Sequence, residues 1–304
     1  MLGRLPFLTL LRVLLACVYR IGFCVMRLLR FRAKTPLQKS QVVIVGSFLA
    51  GGAGKTPLVQ QMAKIFLEQN KSVVILCHRA AWDEFRMLQS TTRGVSVLST
   101  ADRFRMAQKI DGKWDVILCD GGLEDSRFVN ANVFVLRWNE TANSLTDLIP
   151  AGPCVSLEKD HPDALPIKCF RSSIESGRLA VAYSIESIQN FRGESLTFNS
   201  PVAIVTGIGM PERFTKDVLE FGLSVKRKIF LRDHSKGYGK VLRKELKKSL
   251  PIVLTEKDFA RLDSSEKENP FLYVAKERVQ MNSALESYLN ELAGGAARNP
   301  PSTL

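Results

Sequence analysis

The sequence lacks the cysteine and histidine spacing of a structural metal site. Its six cysteines include no CxxC pair, and only three histidines occur among 304 residues, so the ligand clusters of a typical zinc site are absent. Isolated cysteines of this kind are typical of a cytosolic protein whose thiols stay reduced. We therefore predict free and mostly buried cysteines at positions 17, 24, 77, 119, 154 and 169.

Acidic residues are absent from the first 34 positions, which are rich in arginine and otherwise apolar. Arginines interrupt the apolar run, so no uncharged stretch reaches the roughly 18 residues of a spanning helix. At about 100° per residue, four arginines fall on one narrow face of a helix: Arg12, Arg20, Arg27 and Arg30. We predict a membrane-associated amphipathic helix over residues 1–34, with these arginines on anionic headgroups.

Two other interpretations of this segment stay open. A helix packed against the protein, with its arginines in water, has the same pattern. A cleaved signal peptide also begins with basic and apolar residues, but Arg12 divides its apolar region and no A-x-A site follows.

The heptapeptide GGAGKTP at 51–57 lies between a strand-like run and helical spacing, which is the setting of a phosphate-binding loop. Glycines let the backbone approach phosphates, Lys55 would neutralise the β- and γ-phosphates, and the Thr56 hydroxyl would bind Mg²⁺. Leu49 stands where the usual G-x-x-x-x-G-K-[ST] pattern begins with glycine. We predict ATP and Mg²⁺ as cofactors, with the nucleotide bound by Gly51, Gly52, Ala53, Gly54, Lys55 and Thr56.

A metal-binding acid is expected at the end of a neighbouring strand. The run DVILCDGG places Asp120 at such a position. An ordinary glycine-rich turn and a turn aspartate are the structural alternatives for these two segments.

Short β-branched runs alternate with helical spacing over most of the chain, and the alternation restarts at SPVAIVTGIG. This order predicts an α/β fold with a parallel sheet that helices cover on both faces. After the N-terminal helix, we predict a P-loop nucleotide-binding domain at 35–155, a linker at 156–199, a second, smaller α/β domain at 200–293 and a flexible tail at 294–304.

A second basic stretch, residues 224–250, carries ten Lys or Arg against two acids. Such a stretch favours an anionic partner, either a membrane surface or nucleic acid, although many charged stretches are simply solvated. It lacks the interleaved aromatic residues of a base-stacking surface. We therefore predict no nucleic-acid partner.

Several segments together resemble the tetraacyldisaccharide 4'-kinases of lipid A biosynthesis. They occur in the order of that family over about residues 1–262, and the combination is far more specific than the phosphate loop alone. The segments are VGSFLAGGAGKTP, LIPAGP at 148–153, GIGMPERF at 207–214, the pair Asp233–His234, and LTEKD at 254–258.

The resemblance implies transfer of the ATP γ-phosphate to the 4'-hydroxyl of a tetraacylated glucosamine disaccharide 1-phosphate. The acidic pair of the family's G-D-E-P motif is here Asp83 and Glu84. In the family this aspartate works with a histidine, here His234, to activate the sugar hydroxyl, which is a poor nucleophile at neutral pH. The implied partners are the lipid A disaccharide precursor and the cytoplasmic face of the bacterial inner membrane, which a monomer would bind as a peripheral or monotopic enzyme.

The sequence departs from the family at the predicted metal strand. The family has D-D-G-[FL]-Q-H where this chain has DGGLED, so Gly121 replaces the second aspartate. We expect Glu84 to complete the metal site with Thr56 and Asp120. A catalytically weakened paralogue is one alternative function. A membrane-recruited switch ATPase is another, although Ala50 stands where such ATPases usually carry a lysine.

Overall fold

The structure, a computed structural model, describes residues 4–31, 35–233, 235 and 237–295, and the predicted catalytic His234 lies outside these residues. The helices are α1 (Arg4–Phe31), α2 (Lys55–Glu68), α3 (Trp82–Thr91), α4 (Arg103–Ile110), α5 (Pro211–Glu220), α6 (Tyr238–Leu246), α7 (Glu256–Ala260), α8 (Ser264–Lys267) and α9 (Ser283–Ala293). The strands are β1 (Gln41–Ser47), β2 (Val73–His78), β3 (Ser96–Thr100), β4 (Val116–Asp120), β5 (Asn132–Arg137), β6 (Leu165–Arg171), β7 (Ala180–Gln189), β8 (Pro201–Thr206), β9 (Ser224–Phe230), β10 (Ile252–Thr255) and β11 (Leu272–Met281).

These strands form one sheet in the order β3-β2-β4-β1-β5-β6-β7-β11-β10-β8-β9. Neighbouring strands are parallel except for β7 and β11, which pair antiparallel. The sheet therefore has two parallel halves of opposite direction that meet at the β7–β11 pair. The predicted α/β fold with parallel strands and an N-terminal apolar helix is confirmed.

The central strands of the first half are apolar throughout because they bury both faces. Along β1, Val43 and Val45 face one core, whereas Val42 and Ile44 face the other. Successive side chains point to opposite faces of a sheet, so one uninterrupted apolar run fills two cores. Residues of α2 and α9 close the first core, and residues of α4 close the second.

The chain returns to the first half at its C-terminal end. Helix α9, which the sequence pattern places in the second domain, packs Leu285 and Leu289 into the same core as α2. The predicted linker at 156–199 contains two strands, β6 and β7. Weak periodicity in this region reflects strands that alternate buried and exposed residues irregularly.

The two halves come together at the phosphate loop. The turn after β8, which contains GIGM, lies directly against the glycines that follow β1. A Cβ atom built on Gly209 would lie only 2.9 Å from the backbone nitrogen of Gly52. Because real Cβ atoms essentially never approach so closely, glycine is required for this contact.

Helix α1 has one face on the protein and one face away from it. Its segment Leu8–Arg30 contains a window of 18 residues with a mean hydropathy of 1.9, and the segment is long and apolar enough, by length and composition, to cross a membrane. Arg20 and Arg27, which we predicted to lie on headgroups, bond instead to Asp160, because that acid lies directly opposite this face. The exposed residues are mainly leucine and valine, and Arg12 is exposed with them.

The six cysteines are free, as predicted. The four that belong to the sheet or its loops are buried, whereas Cys24 on α1 is exposed. Burial raises the pKa of the Cys119 thiol to about 12, so it remains protonated and unreactive.

Candidate active site

The predicted phosphate loop has the required backbone form. It leaves β1 at Ser47 and enters α2 at Lys55, so the N-terminal N–H groups of that helix point toward the loop. Gly54 has φ of +83°, and a Cβ atom there would lie 2.8 Å from the Tyr183 ring. Both the conformation and the crowding demand glycine at this position.

Leu49, which stands where the usual pattern has its first glycine, has a structural role of its own. Its side chain is buried in the core of the first half, and its backbone forms an antiparallel bridge with Cys154. Ala50 N–H donates to Pro153 O at 3.0 Å, and Val155 N–H donates to Phe48 O at 2.7 Å. A short strand-like pairing with residues 153–155 therefore holds the start of the loop.

Two aromatic side chains hold the end of the loop. Trp138 Nε1–H donates to Ala53 O at 3.0 Å, and the Tyr183 hydroxyl donates to Gly54 O at 3.0 Å. Sequence reasoning missed both residues, because a lone aromatic residue in a strand, such as Tyr183, or just after one, such as Trp138, gives no signal beyond core packing. Their bonds fix the carbonyls of the loop and leave its N–H groups available to a ligand.

Asp120 and Thr56 lie together as predicted. The Thr56 hydroxyl donates to Asp120 Oδ2 at 2.8 Å. Asp120 Oδ1 is buried and has no hydrogen-bond partner within the described part of the chain. Burial, reinforced by the nearby Glu84 charge, raises the pKa of Asp120 to about 6.

This pair fits a magnesium ion. Mg²⁺ is commonly held by one or two protein oxygens and completed by phosphates and water, and an orphaned buried carboxylate oxygen beside a hydroxyl supplies that donor set. No cluster of three or more acidic, histidine or cysteine ligands occurs among the described residues. The site therefore fits a metal that arrives with a nucleotide.

Arg103 lies beside Gly121, the residue that stands at the position of the missing second aspartate. Gly121 has φ of +78°, and a Cβ atom built on it would lie 3.0 Å from Arg103 Nη2 and 3.9 Å from Lys55 Cε. Arg103 is 14% exposed, and its nearest described carboxylate is Glu124 at 3.9 Å. Sequence reasoning missed this residue, which places a second cation beside Lys55.

The predicted acidic pair lies at the start of α3 and faces α7. Asp83 is fully buried, and its Oδ2 accepts a hydrogen bond from Arg261 Nε at 2.9 Å. Glu84 Oε1 accepts from Lys257 Nζ at 3.0 Å. The same ammonium group lies 3.0 Å from Asp233 Oδ1. The two cations of α7 and its end, Lys257 and Arg261, were not predicted.

Lys257 balances several carboxylates at once. Burial acts to lower its pKa, but Glu84, Asp233 and Asp83 outweigh that effect, so the pKa of Lys257 is raised. The ammonium group is therefore held in its charged form. This charge binds α3, the loop after β9 and α7 into one cluster.

The TEKD segment has the capping role that its threonine suggests. Thr255 Oγ1 accepts from the Asp258 N–H at 3.1 Å, and the buried Asp258 carboxylate accepts from Thr206 Oγ1 at 2.6 Å and from the Gly207 N–H at 3.0 Å. Asp258 thus ties the TEKD turn to the GIGMPERF turn. Lys257 is the member of the segment that bonds to Glu84 and Asp233.

The acidic cluster and the phosphate loop belong to one site. A Cβ atom built on Gly51 would lie 3.7 Å from Asp233 Oδ2, so the cluster approaches the first glycine of the loop. A cavity extends from there along the loop, and it is lined by Gly52, Lys55, Thr56, Glu84, Met210 and Lys257. Among the predicted site residues, those that line this cavity are Gly52, Ala53, Gly54, Lys55, Thr56 and Glu84, whereas Asp83 and Asp120 are buried and are not part of its lining. Asp233, the residue before His234, belongs to the acidic cluster.

A parallel sheet, a glycine-rich loop entering a helix, and an acid from the adjacent strand define a P-loop type of phosphoryl-transfer enzyme. The family model of tetraacyldisaccharide-1-P 4'-kinases matches residues 7–80 and 77–293. The chain belongs to this family, and the resemblance noted in its motifs is confirmed.

Individual relatives of the chain are also named tetraacyldisaccharide 4'-kinases. It is 27% identical over 266 residues to the tetraacyldisaccharide 4'-kinase of Shewanella halifaxensis, covering 79% of each chain. It is 28% identical over 265 residues to that of Bradyrhizobium diazoefficiens, covering 74% of this chain and 75% of the relative.

A solved structure has the same fold. It is the LpxK of Aquifex aeolicus in complex with ATP, which matches with a TM-score of 0.65 at 18% identity. The match covers 93% of this chain and 97% of that one. At this identity the likeness concerns the fold alone, and it extends over both halves of the sheet.

Proposed function

We propose that this protein transfers the γ-phosphate of ATP to the 4'-hydroxyl of a tetraacylated glucosamine disaccharide 1-phosphate. The observation that supports this most is that a phosphate loop and a cluster of carboxylates lie at the same cavity. A phosphate loop with a lysine and a metal-binding pair lies on one side. A cluster of carboxylates able to serve an alcohol acceptor lies on the other.

The residues of the loop would bind and orient the nucleotide. Backbone N–H groups from Gly51 to Thr56 would hold the phosphates, and the Lys55 ammonium would offset the charge of the β- and γ-phosphates. Thr56 and Asp120 would hold Mg²⁺, whose charge, when bound, offsets that of the phosphates. Glu84 remains our third candidate ligand, and its Oε1 accepts a hydrogen bond from Lys257 Nζ at 3.0 Å.

Asp83 and His234 are the proposed catalytic residues. The proton of the sugar hydroxyl must leave as the hydroxyl attacks phosphorus, so a positioned base lowers the barrier. Arg261, the residue that follows α7, holds the Asp83 carboxylate in place by a hydrogen bond of 2.9 Å from its Nε. The preceding residue, Asp233, lies beside Gly51 and supports placement of that loop at the phosphates.

The apolar face of α1 suits a lipid acceptor. An acylated substrate is embedded in a bilayer, and the exposed leucines of α1 offer a surface that enters the interface. We propose that the protein lies as a monomer on the cytoplasmic face of the inner membrane, where ATP is available. The basic residues of 224–250 favour the anionic surface of that membrane.

A kinase assay with site variants tests this function. Wild-type protein in detergent micelles with Mg·ATP and the acceptor should yield the 1,4'-bisphosphate, and Asp83→Asn and His234→Ala should each lower turnover by about 100-fold or more. Lys276→Met, which breaks an exposed ion pair with Glu186, is the control. Full turnover in both active-site variants would contradict the assigned roles.

The weakened paralogue is the second candidate, because Gly121 stands where the family has an aspartate. If the metal site is impaired for that reason, Gly121→Asp should raise turnover. If Arg103 beside Gly121 has taken over this part of the site, the new carboxylate should pair with the guanidinium and lower turnover. The same assay separates the two outcomes.

A further inference from the structure

Helix α1 is bonded to the first half of the protein by a compact set of polar contacts. Arg20 donates from both terminal nitrogens to the Asp160 carboxylate, at 2.5 and 2.7 Å. Arg27 donates to the backbone carbonyl of Asp160 at 2.5 Å. The Tyr19 hydroxyl donates to Val155 O at 2.7 Å. Arg20 is 18% exposed and Asp160 is 9% exposed, so this bidentate pair is shielded from solvent.

Val155 links this helix to the phosphate loop. Its carbonyl accepts from Tyr19, and its N–H donates to Phe48 O, two residues before Ala50. The next contact in the same pairing joins Ala50 to Pro153. The backbone of Val155 therefore bonds both to α1 and to the segment that leads into the loop glycines.

Packing reinforces the same connection. Ala16 on α1 is fully buried in the core that contains Phe48 and Leu49. The Phe48 ring also lies 5.1 Å from the Arg137 guanidinium and 6.1 Å from the His161 ring. The segment that leads into the loop is therefore held in part by contacts with α1.

We propose that Tyr19, Arg20 and Asp160 are positioning residues for the nucleotide, which set its affinity through residues 153–155 and the start of the phosphate loop. The inference rests on the proposed ATP binding. It assigns α1 a role beyond attachment to a membrane. Without these contacts, the loop glycines would also adopt conformations that do not bind phosphate. Ordering the loop would then oppose binding, and the affinity for the nucleotide would fall.

The two faces of α1 separate this role from membrane contact. Tyr19 and Arg20 face the protein, whereas Leu14 and Val18 are about 61% exposed on the other face. A bilayer can therefore cover the outer face without competing for the inner bonds. Variants of each face should alter one property and spare the other.

The experiment measures binding of a non-hydrolysable ATP analogue with Mg²⁺ to the full chain in detergent micelles, without acceptor. Tyr19→Phe removes one hydroxyl and keeps the ring, so the Kd should rise about 2- to 10-fold, which is the range for one hydrogen bond. Arg20→Ala should raise it further, and the double variant Arg20→Asp with Asp160→Arg should recover part of the loss. The paired outer-face control, Leu14→Gln with Val18→Gln, should leave the Kd unchanged.

Two further readouts distinguish positioning from general damage. In the kinase assay, the KM for ATP should rise in Tyr19→Phe while the KM for the acceptor stays unchanged. Flotation with phosphatidylglycerol-containing vesicles should be unchanged in Tyr19→Phe and reduced in the outer-face control. Circular dichroism melting should show that Tyr19→Phe remains folded at the assay temperature.

The possible results separate the inference from the function on which it rests. If the wild type binds the analogue and Tyr19→Phe and Arg20→Ala bind it equally well, the inference is wrong and α1 acts as an anchor alone. If the wild type binds the analogue but forms no phosphorylated lipid, the proposed function fails while the effect on Kd still decides the inference. If the wild type binds no analogue, both are contradicted.

Discussion

At the scale of single residues, the hydroxyl of Thr56 has two roles that a conservative variant removes together. It donates to Asp120 and is a proposed metal ligand. Thr56→Val keeps the shape of the side chain but should lower turnover about 10- to 100-fold, because Mg²⁺ loses a ligand and Asp120 loses its donor. Thr215→Val, which removes another buried hydroxyl bonded to Pro211 O in α5, is the matched control and should retain turnover.

Arg103 allows a second prediction at this scale. Its guanidinium lies beside Gly121 and close to Lys55, where the negative charge of a bound triphosphate would lie. Arg103→Ala should lower kcat/KM for ATP about 10- to 100-fold, because a shielded cation near the phosphates is lost. Arg105→Ala, two positions along the same helix and 83% exposed, should change it less than twofold. Equal effects of the two variants would argue against a role for Arg103 in phosphate binding.

At the scale of elements, α7 holds α3 through Lys257. Replacing this ammonium by an uncharged chain in Lys257→Met leaves Glu84 and Asp233 without their shared cation. We expect the free energy of unfolding in urea to fall by about 2 kcal/mol or more, since the group is mostly shielded from solvent. Lys276→Met, which breaks an exposed pair with Glu186, should cost less than about 1 kcal/mol.

His161, a partly buried residue beside the contacts that attach α1, makes stability depend on pH. This ring bonds Ser156 Oγ at 3.1 Å and lies near Arg20, Arg27 and Asp160. Burial, with help from the two arginines, lowers the pKa of His161 to about 4. Between that value and its ordinary pKa near 6.5, the unfolded chain binds a proton that the folded chain does not, so stability falls as the pH decreases through this window.

The variant His161→Gln isolates this contribution. The free energy of unfolding of the wild type should fall by about 1.6 kcal/mol more than that of the variant between pH 6.5 and pH 5. Other titrating groups affect both proteins equally and cancel in the comparison. Parallel losses in the two proteins would show that His161 does not titrate in this window.

At the scale of the whole molecule, one sheet and a returning helix connect the predicted domains. All three tryptophans, at positions 82, 114 and 138, lie in the first half. Because α9 packs there after the chain has passed through the second half, we expect both halves to unfold together. Tryptophan fluorescence and far-ultraviolet circular dichroism should then give the same urea midpoint, and two separated midpoints would show independent domains.

The fold of the first half and the central residues of the site can be predicted from local sequence. The apolar run of β1, the glycines of 51–54 and Asp120 at a strand end act through short-range geometry, so periodicity and motif spacing predict them. The contributions of Arg103, Lys257 and Arg261 depend on contacts between distant segments, which spacing along the chain does not reveal.

The arginine face of α1 is another feature whose contacts could not be predicted from local sequence. Helical spacing correctly aligns Arg20 and Arg27, but it does not reveal Asp160, more than 130 residues away, which turns that face toward the protein. The single β7–β11 sheet junction and the return of α9 likewise depend on long-range pairing.

Phosphoryl transfer to the lipid acceptor is the reaction on which the proposed function depends. Purified wild-type protein is incubated in detergent micelles with Mg²⁺, ATP labelled at the γ-phosphate and tetraacyldisaccharide 1-phosphate, beside Lys55→Met. The label should appear on the 4' position of the disaccharide with wild type and be nearly absent with the variant. Bound nucleotide without labelled lipid in the wild type would contradict the proposed kinase function.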